Sequence, residues 1–269
     1  MISKMSNKAV LVTGSSHGIG RAIALEFARQ GYDVGITYHS RCREAEIVAA
    51  EAEKSGVRTK IIGVDITSLD EIKRMFDEFM DAFGRIDVLV NNAGVGLVAP
   101  FLETTPEIFE TTTNTDWRAG FFCAQRAAKE MVAAHIPGVI VNIASNHTEG
   151  CWPDCSVYAG TKAALSKFTK NCAMELAEYG IRVVCVNPGY TDIGWPKDDP
   201  IWEAEKRMPL GRFGTTQEVA NLVTFLSSDR ASYITGTTVT TDGGALLPCV
   251  PENKFRGGGL LTKRQAGQK

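Results

Sequence analysis

Seven short apolar runs, separated by stretches with helical spacing, leave this chain few folds to choose from. The first run, Ala9-Val-Leu-Val-Thr13, is apolar without alternation. That is the pattern of a strand covered on both faces. Similar runs recur at about 33–38, 60–64, 86–91, 139–144, 182–186 and 237–241. After the first run, Ile19, Ile23 and Phe27 recur at every fourth position, one face of a helix. Another helix is predicted over about 68–83, opened by Ser68 with Glu71 three residues on, a capping-box pattern. Strands alternating with helices predict an α/β fold: a doubly wound parallel sheet with crossover helices on both faces. No linker or compositional break divides residues 1–249, so they are expected to form a single domain. Residues 250–269 differ, with three consecutive glycines and five basic residues against one acid. They read as a flexible tail or an arm lying on a neighbour.

Composition narrows the function classes. The formal net charge is −2, so no nucleic-acid surface is indicated. No apolar run approaches the roughly 18 residues that span a membrane. Residues 1–8 lack the apolar core of a secretory signal, so a cytoplasmic location is expected. Seven cysteines are scattered without a C-x-x-C pair, which is no disulfide framework. Cys151 and Cys155 stand four apart, but no second ligand pair gives zinc-like spacing, and no metal is expected.

Two motifs carry chemistry. Thr13-Gly-Ser-Ser-His-Gly-Ile-Gly20 joins the first strand to the first helix. Glycines there permit a tight turn and close approach of backbone to a pyrophosphate, with the helix N-terminus facing it. Tyr158 and Lys162 stand four apart, on one face of a helix. An ammonium beside a phenol favours the phenolate, so the pair suits proton exchange with an alcohol or carbonyl. Ser145, thirteen residues before Tyr158, can donate to the same oxygen.

With Asp65, Asn91-Asn-Ala-Gly94, Asn187-Pro-Gly189 and Thr241-Asp-Gly-Gly244 in order between and after these motifs, the chain resembles the short-chain dehydrogenase/reductase family over about residues 7–248. The resemblance implies a Rossmann-like single domain and hydride transfer between a nicotinamide cofactor and a secondary alcohol or ketone. Tyr158 would be the acid–base group, helped by Ser145 and Lys162. Gly14, Ser16, His17 and Ile19 would line the pyrophosphate. Asp65 and Ile66 would bracket the adenine, and Asn92, Ala93 and Gly94 would run past the ribose. Lys162 would bond the nicotinamide ribose, and Gly189 to Thr191 would meet the nicotinamide end. Relatives pair through the helices at about 116–135 and 158–179, which implies a homotetramer or homodimer.

The end of the second strand bears on cofactor choice. An acid there would bond the ribose 2′-hydroxyl of NAD. The strand instead ends Thr37-Tyr38-His39-Ser40-Arg41. Ser40, Arg41 and Arg43 suit a 2′-phosphate. His17 stands where NADP-preferring relatives are often basic. The expectation is NADP(H) over NAD(H), with His39, Ser40 and Arg41 at the cofactor. One departure concerns the family's usual asparagine before the fifth strand. Aligning on Gln125 and the Phe121–Cys123 run puts Asp116 there, as a further catalytic residue in the proton relay. Asn114, two residues earlier, would face elsewhere on a regular helix.

On the substrate side, Val95, His147, Trp152, Tyr190 and Trp195 are the candidates, a mixture of apolar walls and polar groups. Sugar or polyol, 3-oxoacyl and hydroxysteroid substrates stay open. So do an epimerase or dehydratase, which would use bound cofactor without net turnover, and a non-catalytic dinucleotide sensor.

Overall fold

The computed structural model describes residues 7–247. The 250–269 segment, with the tail expectation attached to it, lies outside the described residues. The seven expected strands are present: β1 (Ala9–Val12), β2 (Asp33–Tyr38), β3 (Thr59–Gly63), β4 (Val88–Asn91), β5 (Val139–Ile143), β6 (Arg182–Pro188) and β7 (Thr238–Thr241). They form one parallel sheet in the order β3-β2-β1-β4-β5-β6-β7. The helices are α1 (Gly18–Arg29), α2 (Cys42–Glu53), α3 (Leu69–Phe83), α4 (Pro106–Thr113), α5 (Ala119–Ala133), α6 (Ser156–Leu176) and α7 (Thr216–Ser227). This is a Rossmann-like doubly wound domain. Among the described residues no helix is long and apolar enough to cross a membrane.

The uninterrupted apolar runs have their cause in the layers. Successive strand residues point to opposite faces. Val10 and Val12 pack with Ile23 and Phe27 of α1, Val48 of α2, and Val223 and Leu226 of α7. Ala9 and Leu11 pack with Phe76 and Phe79 of α3, Met131 of α5 and Ala173 of α6. Each fully buried phenylalanine contributes about 1.5–3 kcal/mol over exposure. Local signals are met only in part at α3. Ser68 Oγ accepts from Glu71 N at 3.3 Å, but the Glu71 carboxylate accepts from Asp65 N and pairs with Arg74 instead of closing the box. The complete capping box belongs to Thr215 and Glu218 at the start of α7.

Two adjacent amides, on β4 and β5, interrupt the apolar interior of the sheet. Asn91, ending β4, donates to Asn142 Oδ1 on β5 and to Gly120 O, both at 2.9 Å. Asn142 in turn donates to Thr169 Oγ1 of α6 at 2.9 Å. Because α6 also carries Tyr158 and Lys162, this chain of hydrogen bonds ties those side chains to the end of β5.

Candidate active site

The strand order reverses between β1 and β4, and a cleft of about 920 Å³ opens at the carboxyl ends of the strands there. Crevices at such switch points are the usual ligand sites of open α/β sheets. The turn after β1 is held rigidly. Thr13 Oγ1 accepts from Asn92 N at 2.9 Å and Ala93 N at 3.0 Å. Asn92 Nδ2 donates back to Thr13 O and Gly14 O. Gly14 has φ +63°, and a Cβ there would stand 3.0 Å from the Ala93 backbone, so the two loops meet only through glycine.

The first turn of α1 faces this cleft with no acidic residue and no side-chain cap, His17 being extended at its N-cap. Its amide groups are therefore available to an anion. Together with the glycine cradle, this fits a dinucleotide pyrophosphate. At the end of β2, Tyr38, His39, Ser40 and Arg41 line the cleft and no acid does. Arg43 is not part of the wall. Burial, and then the charge of Arg41, push His17 below the usual histidine value, so its ring is neutral at pH 7 and Arg41 carries the positive charge here. Asp65 and Ile66 line the opposite side. Asp65 accepts from Thr67 N and Oγ1 at 2.9 and 2.7 Å, and these bonds hold its carboxyl below the usual range.

The far end of the cleft gathers Ser145, Tyr158, Lys162 and Asp116. Ser145 is buried just beyond β5, and Tyr158 is half-buried in the first turn of α6, on the face that Lys162 shares. Lys162 Nζ lies 3.0 Å from Asp116 Oδ2 and 5.4 Å from the Tyr158 ring centre. It also donates to Ile143 O at 3.5 Å. Burial works against the Lys162 charge, but the Asp116 carboxylate and Tyr158 outweigh it and hold the ammonium above the usual lysine value. Asp116 Oδ1 accepts from Val95 N at 2.7 Å, so one carboxylate grips both the lysine and the loop after Gly94. Asp116 sits in a π-helical turn, Asn114–Arg118, between α4 and α5. Such a wide turn changes the helical phase. Asn114 lines the cleft as well as Asp116, contrary to the regular-helix expectation.

Gly14, Ser16, His17, Ile19, His39, Ser40, Arg41, Asp65, Ile66, Asn92, Ala93, Gly94 and Gly189 all line this one cleft, as does Val95. Thr191, His147, Trp152, Tyr190 and Trp195 do not. Thr191 is buried and donates to Gly189 O, its strand pairing with Gly214–Thr215 turning it away. Trp195 donates to Thr191 O. His147, Trp152 and Tyr190 are drawn into contact with one another behind Tyr158. Glu107, Glu110 and Thr111 of α4 were missed as wall residues. With Asn114 they stand at i, i+3, i+4 and i+7, the spacing of one helix face, so the signal was present.

The chain matches the family model described as enoyl-(acyl carrier protein) reductase over residues 14–245. It is 40% identical over 243 residues to the uncharacterized oxidoreductase YohF of Escherichia coli, covering 89% of this chain and 96% of that protein. It is 38% identical over 243 residues to the 3-oxoacyl-[acyl-carrier-protein] reductase FabG of Staphylococcus aureus, covering 89% and 98%. The crystal structure of acetoin dehydrogenase YohF from Salmonella typhimurium superposes with a TM-score of 0.84 at 38% identity, covering 90% and 98%. The chain belongs to the short-chain dehydrogenase/reductase family and is an NAD(P)-dependent oxidoreductase of alcohols and ketones.

Proposed function

We propose that the enzyme interconverts a small, uncharged ketone and its alcohol with NADP(H) in preference to NAD(H), using Tyr158 as acid–base group. The observation that carries this reading is a single cleft with two unlike ends. One holds Ser145, Tyr158, Lys162 and Asp116, and the other offers Arg41 with no acid at the end of β2. The nicotinamide, when bound, supplies the hydride to the carbonyl carbon or takes it from the carbinol carbon. In reduction the Tyr158 hydroxyl gives its proton to the carbonyl oxygen while Ser145 donates a hydrogen bond to the same atom. In oxidation the phenolate takes the hydroxyl proton. Lys162, fixed by Asp116, keeps a positive charge beside the phenol and would hold the nicotinamide ribose. Asp116 accepts from the lysine and forms the inner end of the proton relay.

Charge on the cleft wall favours an uncharged substrate. Glu107 and Glu110 stand on it, and a polyanionic carrier would meet both. The similarity to an acetoin dehydrogenase supports a short hydroxyketone. On this reading the protein acts in the cytoplasm as a homodimer or homotetramer through α5 and α6. The test is absorbance at 340 nm with NADPH or NADH and a panel of diacetyl, acetoin, ketoses, 3-oxoacyl esters and ketosteroids. Oxidation of NADPH with the short ketones, lost in Tyr158→Phe, is expected. Preferred turnover of thioesters or steroids would overturn the substrate class. Product formation without net NADPH loss would move the protein to the epimerases or dehydratases. Cofactor binding without any turnover would favour a sensor.

A further inference from the structure

We propose that a ladder of aromatic rings running from the 193–213 segment to Tyr158 positions the reacting phenol, with His147 as its contacting rung. This rests on the reading of Tyr158 as the acid–base group. The His147 ring meets the Tyr158 ring edge to face at 5.2 Å and lies flat on Trp152 at 4.0 Å. Trp152 Nε1 donates to the Tyr190 hydroxyl at 3.1 Å. Tyr190 stacks on Phe213 at 5.2 Å, and Phe213 on Trp202 at 4.6 Å. Three chain segments, after β5, after β6 and before α7, thus join in one continuous contact. Only its last ring, Tyr158, lines the cleft.

Two further observations show how the first rungs are seated. A Cβ on Gly150 would stand 2.5 Å from the Trp152 ring, so the indole reaches His147 only because residue 150 is glycine. His147 Nδ1 is buried without a hydrogen-bond partner among the described residues, and burial pushes the ring below the usual histidine value. A neutral imidazole with an unused nitrogen acts through its faces and edge, as an aromatic spacer. The phenol oxygen is at the tip of Tyr158, so a tilt of the ring moves the proton donor relative to the carbonyl. Misplacement of about 1 Å costs up to about a hundredfold in rate. His147, Trp152 and Tyr190 are thus positioning residues, and the seating of Trp202 and Phe213 reaches the phenol through them.

The experiment compares His147→Ala, which removes the ring, with His147→Phe, which keeps the ring and removes the nitrogens. The whole enzyme is assayed with NADPH and the ketone of highest kcat/KM in the panel above. NADPH affinity is followed separately by fluorescence. His147→Ala is expected to lower kcat at least tenfold while KM and NADPH affinity stay within threefold, and His147→Phe to recover kcat to within threefold. Equal losses in both variants, or parent kcat in His147→Ala, would overturn the proposal. Tyr190→Phe, which removes the hydrogen bond from Trp152 and keeps the stacked ring, tests the chain one rung further. Its kcat penalty is expected in the His147→Phe background and absent in His147→Ala; equal penalties overturn the coupling. Should His147→Ala fail to fold, Tyr190→Phe alone decides, with a three- to tenfold loss expected and parent kcat refuting it. Tyr158→Phe is run alongside. Parent-level turnover there would fault the acid–base reading, whereas the His147 series faults only the ladder.

Discussion

Replacing Asp116 by alanine separates the structural from the chemical share of the buried pair. Lys162 and Asp116 meet at 3.0 Å with side chains 5% and 0% exposed. Asp116→Ala leaves the ammonium in place with no counter-charge. Breaking a buried pair by removing one partner costs about 3–5 kcal/mol. The Val95 amide also loses its acceptor, an effect that overlaps with the first. For a chain of this size each kcal/mol lowers Tm by about 2–4 °C, so a drop of roughly 10 °C is expected by calorimetry. Asp116→Asn keeps an acceptor for Val95 N but sets an NH2 group toward Lys162 in place of the second oxygen, so it should lose less than Asp116→Ala while still falling below the parent. Replacing both partners together, Asp116→Leu with Lys162→Met, should recover most of the stability while turnover stays lost, since apolar residues of similar volume substitute well for buried pairs. A Tm for Asp116→Ala within 2 °C of the parent would refute the reasoning, because Lys162 would then need no partner.

Other consequences are as direct. Ser145→Ala should lower kcat by about 10²–10³ with NADPH affinity unchanged, read by steady-state kinetics and fluorescence titration. Arg41→Ala should weaken NADPH about ten- to a hundredfold and leave NADH unaffected; an equal effect on both would remove Arg41 from the phosphate. At the start of α7, Arg212 and the Thr215 amide hold the Glu218 carboxyl down at about 2. A depressed carboxyl stabilises the fold above its unfolded value and loses that contribution as pH falls toward 2. Glu218→Gln should therefore flatten the acid limb of stability between about pH 4.5 and 2, measured by circular dichroism.

Much of the fold was legible because parallel strands buried on both faces cannot alternate, and runs such as Ala9–Val12 and Val139–Ile143 say so without help. The glycine turn and the Tyr158/Lys162 spacing were legible for a like reason: each is a local geometry that few residue types satisfy. Asp116 was found through its offset from Gln125. Asn114 was not, although it completes the i, i+3, i+4, i+7 face of α4 that carries Glu107, Glu110 and Thr111. On the substrate side only Val95 lines the cleft. His147, Trp152 and Tyr190 have the chemistry of pocket walls, yet ring contacts between distant segments draw them together behind Tyr158. Phe213 went unnoticed because one buried ring between Arg212 and Gly214 has no periodic neighbour.

The paired amides of β4 and β5 bear on how the chain finds its own alignment. Val88-Leu-Val90 lies beside Val139-Ile-Val141, residue for residue. Sliding one strand by two positions would keep every apolar side chain on its proper face, so the hydrophobic pattern is nearly blind to that error. Asn91 is not blind to it. A two-residue slip sets it against Ile140 or Ala144 in place of Asn142, and both amides then lose a buried partner at about 1–3 kcal/mol each. Two polar side chains thus act as an index mark on an otherwise repetitive ruler. Because Ser145 follows the one strand and Asn92 to Val95 follow the other, a slip of that kind would leave a well-packed sheet whose two halves of the active site are out of step.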